Sequence, residues 1–216
     1  IVLGFTNPQA SEEVVEKAVR PLSTIIKQPI FIVAVLTAAI GYALMSYLMT
    51  ATPLSMHHNH GHSLADTKWV IQSHIAAMFL PSLFTAFLVK KFSLKGLLIA
   101  GTAIYAIVAL IALSGVALMH YWWALILLGI GWNFLFLTGT SLLPLSYQEN
   151  EKHKVQACND FILFGFQAIA SLLAGWMLYQ FGWTGVVLSS LPFIITLFFV
   201  FVYYHRYSKK VTLESK

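Results

Sequence analysis

The chain has 216 residues, 58% of them hydrophobic and only 10% charged, with a net charge of +5. Soluble domains carry about 25% charged residues, and here the charges sit between long apolar runs, so an ordinary soluble domain is excluded. The cations cluster beside those runs rather than along one face with stacking aromatics, which argues against a nucleic-acid partner. The single cysteine, Cys158, excludes an internal disulfide.

The opening Ile1-Val2-Leu3-Gly4-Phe5 has neither an initiator Met nor a basic n-region and is not a signal peptide. It reads as the end of an apolar segment, followed by a polar linker, Thr6–Pro29, so the chain is expected to be a fragment. Six stretches then meet the requirement of about 20 apolar residues for crossing hydrocarbon. They are Ile30–Thr52, Trp69–Val89, Gly96–Val116, Tyr121–Leu143, Val155–Tyr179 and Trp183–Tyr204. The expected fold is all-α and polytopic, with a membrane unit over residues 30–205 and a tail over 206–216. Pro81 and Pro192 fall near the middles of their spans and predict kinks.

Six spans place both ends of the unit on one side. Twelve of the thirteen Lys and Arg residues lie on that side, and only Lys68 lies opposite. The positive-inside rule makes the crowded side cytoplasmic.

Within the spans the polar residues are informative, because an ionisable group there is costly and usually faces protein or water. Asp160 is the one carboxylate inside a predicted span. At helical spacing Gln156, Asp160, Phe164, Gln167 and Ser171 share a face of the fifth span. The fourth span offers Gly129, Asn133, Phe136 and Thr140, with Trp132 beside them. The second offers His74, Met78, Ser82 and Thr85, and the first Tyr42, Ser46 and Met49. The third and sixth are almost wholly apolar, as peripheral helices are. Two readings stand for each polar residue: Asp160 as a partner of Lys154 or as a coupling or substrate-contact group, Asn133 and Gln167 as interhelical bonds or as substrate contacts, and His74 as a satisfied interfacial side chain or a relay.

The outer loop holds His57, His58, His60 and His62 within six positions, a composition that suits Zn²⁺ or Cu²⁺. It lacks the spaced pairs of a structural zinc site, and Gly61 suggests a flexible loop. No phosphate loop, nucleophile elbow or zinc-protease motif occurs, so neither an enzyme nor a cofactor is expected. A self-contained six-helix scaffold or sensor with a metal-binding outer loop is the alternative reading.

Several stretches together resemble bacterial transporters of the major facilitator superfamily. They are Met49-Thr50-Ala51-Thr52-Pro53-Leu54 with Gly61-His62-Ser63, Met78-Phe79-Leu80-Pro81-Ser82, Gly129-Ile130-Gly131-Trp132-Asn133-Phe134, and Lys154-Val155-Gln156-Ala157 with Asn159-Asp160-Phe161. The resemblance implies that the six spans are helices seven to twelve of a twelve-helix secondary transporter. It implies a partner N-terminal six-helix half, inverted three-helix repeats, and a small-molecule site between the halves. Helices seven, eight, ten and eleven would line that site, the same four that carry polar faces. Asp160, Asn133, Gln167, His74, Trp132 and Tyr42 are the expected cavity or coupling residues. One departure stands out. The superfamily's basic loop Gly-x-x-x-Asp-Arg-x-Gly-Arg-Arg corresponds to Ala86–Lys95, where the glycines and the aspartate are absent.

Overall fold

The computed structural model describes residues 19–214, with side chains through Lys210. The expected end of a preceding helix and most of the linker lie outside the described residues. Every regular element among the described residues is helical. A short α1 (Leu22–Ile25) precedes α2 (Pro29–Leu54), α3 (Leu64–Phe79), α4 (Thr85–Ser114), α5 (Leu118–Leu142) and α6 (Lys152–Glu214).

Local chemistry sets the ends of these helices. Pro29 occupies the first turn of α2, where its missing N–H costs nothing and its fixed φ suits a helix. Ser63 caps α3: its Oγ accepts from the Asp66 backbone N–H at 3.0 Å and donates to the Asp66 carboxylate at 2.7 Å. At the other end of α3, Pro81 removes a backbone donor, and the chain tightens into a 3₁₀ turn over Leu80–Phe84 before α4 resumes. The kink predicted at Pro81 is therefore a full change of helix type, whereas Pro192 is absorbed inside α6.

Length exposes two further breaks. Residues 64–114 form a run of 51 residues and α6 has 63. At 1.5 Å per residue each exceeds about 75 Å, more than twice the thickness of a hydrocarbon core. Ser93 (φ 57°, ψ 164°) interrupts α4 and Gly182 (φ 64°, ψ −174°) interrupts α6. The breaks leave six helical segments at the six predicted positions, with the expected basic connector at 90–95 reduced to the single residue Ser93. The segments also repeat. Pro29 and Leu118, Leu64 and Lys152, and Ser93 and Gly182 stand 89, 88 and 89 positions apart.

The helix α5 lies at the centre, packed on α2, α3 and α4, while α6 packs on α2 and α4. Small residues allow the close approaches, as expected where packing rather than hydrophobicity joins helices in lipid. A Cβ built on Gly129 would meet the His74 carbonyl oxygen of α3 at 2.9 Å. One on Gly139 would meet the Ala34 carbonyl oxygen of α2 at 2.7 Å. Polar side chains close the remaining seams. The Tyr105 hydroxyl donates to the Gly41 carbonyl at 2.7 Å, Tyr47 and Ser189 share a hydrogen bond of 2.8 Å, and Trp183 Nε1 donates to the Ala112 carbonyl at 3.0 Å. The helix α3 leans mainly on α5, and Phe79 at its end and Leu80, Leu83, Phe84 and Phe87 beyond it are exposed.

The histidine segment departs from the flexible loop expected of it. Beyond α2 the chain continues as a π-helical turn over Ser55–Asn59. Backbone bonds from His60 to Ser55 and from His62 to Met56 hold it, and Met56 is fully buried beneath it.

Candidate substrate cavity wall

The four helices with polar faces meet in a cluster of aromatic rings. Tyr42 of α2 lies edge-on to Trp132 of α5, with centroids 5.3 Å apart, and also to Phe136 (6.0 Å) and to Phe164 of α6 (6.1 Å). Trp132 stacks on Phe136 at 5.1 Å with 14° between planes, and Phe79 of α3 stands edge-on to Trp132 at 6.1 Å. Edge-to-face and stacked pairs at these distances are favourable in their own right. Trp132 is buried, Tyr42 and Phe136 are half-buried, and Phe79 and Phe164 are exposed. The cluster therefore presents a wall of ring faces and edges.

Two other expected site residues share a helix face with Phe164 of this wall. Asp160 and Gln167 lie one turn to either side of Phe164, at i−4 and i+3, so the three share a face of α6. Asp160 is exposed and accepts from Asn159 Nδ2 at 3.0 Å. It does not pair with Lys154, whose Nζ donates instead to the Arg20 carbonyl. Gln167 is half-buried. Asn133 is buried and faces α3, donating to the Met78 carbonyl at 2.8 Å and to Ser82 Oγ at 2.6 Å. It thereby satisfies a backbone carbonyl beside the helix break at Pro81.

His74 lies on α3 five positions before Phe79. It is fully buried, and its Nδ1 donates to the Leu125 carbonyl at 2.7 Å, which leaves Nε2 as an acceptor without a partner. The four outer histidines fall into two pairs: His57 and His58 stand edge to face at 5.2 Å, and His60 and His62 both pack on Tyr121. His57 bonds the His62 carbonyl at 3.0 Å, His60 the Ser55 carbonyl at 3.0 Å, and His62 the Val116 carbonyl at 2.8 Å. Among the described residues no group of three or more His, Cys, Asp or Glu side chains is placed to hold a metal ion.

Sequence reasoning passed over two features. Phe79 carries no polar atom and reads in sequence like any lipid-facing ring; only its position next to the Pro81 break marks it. Arg20 and Glu151 form a clasp at the basic end. Arg20 Nε donates to Glu151 Oε1 at 2.9 Å and its second guanidinium nitrogen to Oε2 at 2.6 Å. The backbone N–H groups of Arg20 and Gln148 donate to the same carboxylate. Arg20 and Gln28 both donate to the Ser146 carbonyl. These donors hold the Glu151 carboxyl down at about 2, and the carboxylate raises Arg20 in turn.

All-helical architecture, apolar helices long enough to cross a bilayer and a polar-flanked aromatic wall define a polytopic membrane protein. The family model of the Major Facilitator Superfamily matches residues 31–216, and the chain belongs to that superfamily. Among similar proteins, the riboflavin transporter RfnT of Brucella anthropi is 43% identical over 164 residues, covering 76% of this chain and 41% of the relative. The uncharacterized MFS-type transporter YddS of Bacillus subtilis is 37% identical over 165 residues, covering 76% of this chain and 38% of the relative. The chain thus spans about two fifths of the length of these relatives. No solved structure matches it.

Proposed function

We propose that the chain is the C-terminal half of a secondary transporter that moves a small planar heteroaromatic molecule, riboflavin or a close analogue, across the bacterial inner membrane. The aromatic wall carries the reading. Rings from α2, α3, α5 and α6 converge on one surface, and stacking on such rings is how flat ligands are held with few polar contacts. The 43% identity to a riboflavin transporter points to the same ligand class. In this reading the N-terminal half supplies the opposite wall, and the two halves rock about the site. The end carrying Arg20, Lys90, Lys91 and Lys154 faces the cytoplasm. Asp160 and Gln167 are the polar members, and an ion gradient supplies the energy.

The test is riboflavin flux in proteoliposomes containing the full-length transporter, with and without an imposed proton or sodium gradient. Gradient-dependent flux of riboflavin that unlabelled riboflavin competes away is the expected result. Absence of riboflavin flux under every gradient would remove this substrate class.

A further inference from the structure

A cavity of about 410 Å³ lies between α2 and the two limbs into which Gly182 divides α6. Leu44 and Tyr47 of α2 and Ser190 of the second limb form its buried floor. The exposed Phe166, Ile169, Leu173 and Phe193 flank its mouth. At 100° per residue, the α2 residues that line it are turned roughly 100–200° about the helix axis from Tyr42. Those of the first limb of α6 are turned roughly 140–240° from Phe164. The cavity therefore opens on the side of these helices away from the aromatic wall.

Depth and chemistry together limit what fills it. Ser189 and Phe193 stand roughly 10 and 17 Å past the Gly182 break at 1.5 Å per residue, near the middle of a hydrocarbon core about 30 Å thick. Among the described residues no charged side chain lines the cavity. Its hydroxyl protons are all in use. Ser189 Oγ donates to the Val186 carbonyl at 2.8 Å and so accepts from the Tyr47 hydroxyl at 2.8 Å; Ser190 Oγ donates to the Val187 carbonyl at 2.6 Å. A polar solute would leave its own acceptors unpaired here. Water needs two to four polar partners, and an apolar cavity of about 150 Å³ already stays dry and takes up benzene instead. Left empty, the lining would lose its contacts on one side. What the membrane supplies at this depth is hydrocarbon chain, and the room exceeds that of a single ring.

We propose that this cavity is a resident lipid site, filled by one acyl chain of a bilayer phospholipid that lies between the two limbs of α6 and against α2. The small side chains of Ala43, Ala170 and Ser189 leave the room that the chain occupies. The site is separate from the aromatic wall and does not depend on which molecule is transported.

The experiment counts lipids on the full-length transporter. Native mass spectrometry of the detergent-purified protein gives the number of phospholipids retained by the unmutated protein and by Ala170→Phe, whose ring fills the cavity. One phospholipid fewer is expected in Ala170→Phe, with no change in Leu188→Phe, an exposed position outside the cavity. A second measurement needs no variant and decides alone if Ala170→Phe does not fold. The unmutated protein is reconstituted with a phosphatidylethanolamine carrying a diazirine at mid-chain, returned to detergent, washed free of loose lipid and irradiated. The label is expected on the lining stretches 166–177 and 189–193 of α6 or 43–47 of α2. Equal lipid counts in the three proteins (zero included), a retained apolar molecule other than a phospholipid, or label confined to other stretches would each overturn the proposal. None of these outcomes bears on the substrate reading, because Ala170 lies off the aromatic wall.

Discussion

Arg20 and Glu151 stand 131 positions apart and meet fork to fork, the guanidinium across both carboxylate oxygens, with the Glu151 side chain wholly excluded from solvent. The contact joins the chain just before α1 to the 3₁₀ turn just before α6. It ties the entry of α2 to the connection between α5 and α6.

Protonation should loosen this joint. The folded-state value of Glu151 is about 2, below its ordinary 4.5, so its stabilising contribution is present above about pH 4.5 and is lost as pH falls toward 2. Glu151→Gln in the detergent-solubilised full-length transporter should lower the melting temperature at neutral pH. The gap from the unmutated protein should narrow steadily below pH 4.5. A gap that stays constant with pH would show that the charge of Glu151 contributes nothing.

Packing at α5 should tolerate no added methyl. Gly139→Ala places a carbon 2.7 Å from both the Ala34 oxygen and the Ala38 side chain of α2. The expected cost is about 1–3 kcal/mol, read as a lower melting temperature and a broader size-exclusion peak. An unchanged melting curve would mean that α2 and α5 separate more easily than their spacing implies.

Ser93 invites the opposite substitution. Its φ of 57° with ψ of 164° lies in a region that side chains avoid and glycine occupies freely. Ser93→Gly should stabilise the protein by about 1 kcal/mol, even though Ser93 Oγ loses a long bond of 3.3 Å from the Gly96 N–H. The position matches the second glycine of the superfamily's basic loop, which gives that glycine a conformational reason. Thermal unfolding of the variant checks the sign.

The proposed function makes the aromatic wall a determinant of affinity. Phe164→Ala removes an exposed ring from α6 while leaving the stack of buried Trp132 on half-buried Phe136 in place. The KM for the flat substrate should rise by about three- to tenfold, the worth of one aromatic contact, with little change in protein yield.

Asp160→Asn tests the polar side of the same face. The carboxylate is exposed, so its amide should express normally. Gradient-driven transport should fall while exchange of substrate across the membrane persists. Equal loss of both activities would move Asp160 from coupling to substrate contact, and loss of neither would remove it from the mechanism.

The helices were legible because each span needs its own apolar run, and those runs end at charges. Tyr42, Trp132 and Asn133 stand out as candidates in the sequence as well, since polar and amphipathic residues are sparse enough in membrane helices to be noticed singly. Phe79 and Phe164 were harder to assign, because a phenylalanine facing a cavity and one facing lipid are the same letter. The Arg20–Glu151 clasp was invisible for another reason. Both residues lie in connectors, where charge is ordinary, and nothing local marks one carboxylate as the partner of a guanidinium 131 residues away. The histidine turn shows a different gap: imidazoles clustered in sequence suggest a shared ligand, while the π-helical backbone aims His57, His60 and His62 at separate carbonyls, an arrangement that composition does not specify.

The two helix breaks offer the molecule an experiment on itself. Ser93 and Gly182 bend the chain through nearly the same dihedral angles, one with a side chain and one without. Exchanging them, Ser93→Gly with Gly182→Ser, keeps composition and mass constant and moves the hydroxymethyl group from one end of the repeat unit to its counterpart. Any difference in behaviour between the exchanged and original proteins then reports how unequally the two three-helix units have come to share their work.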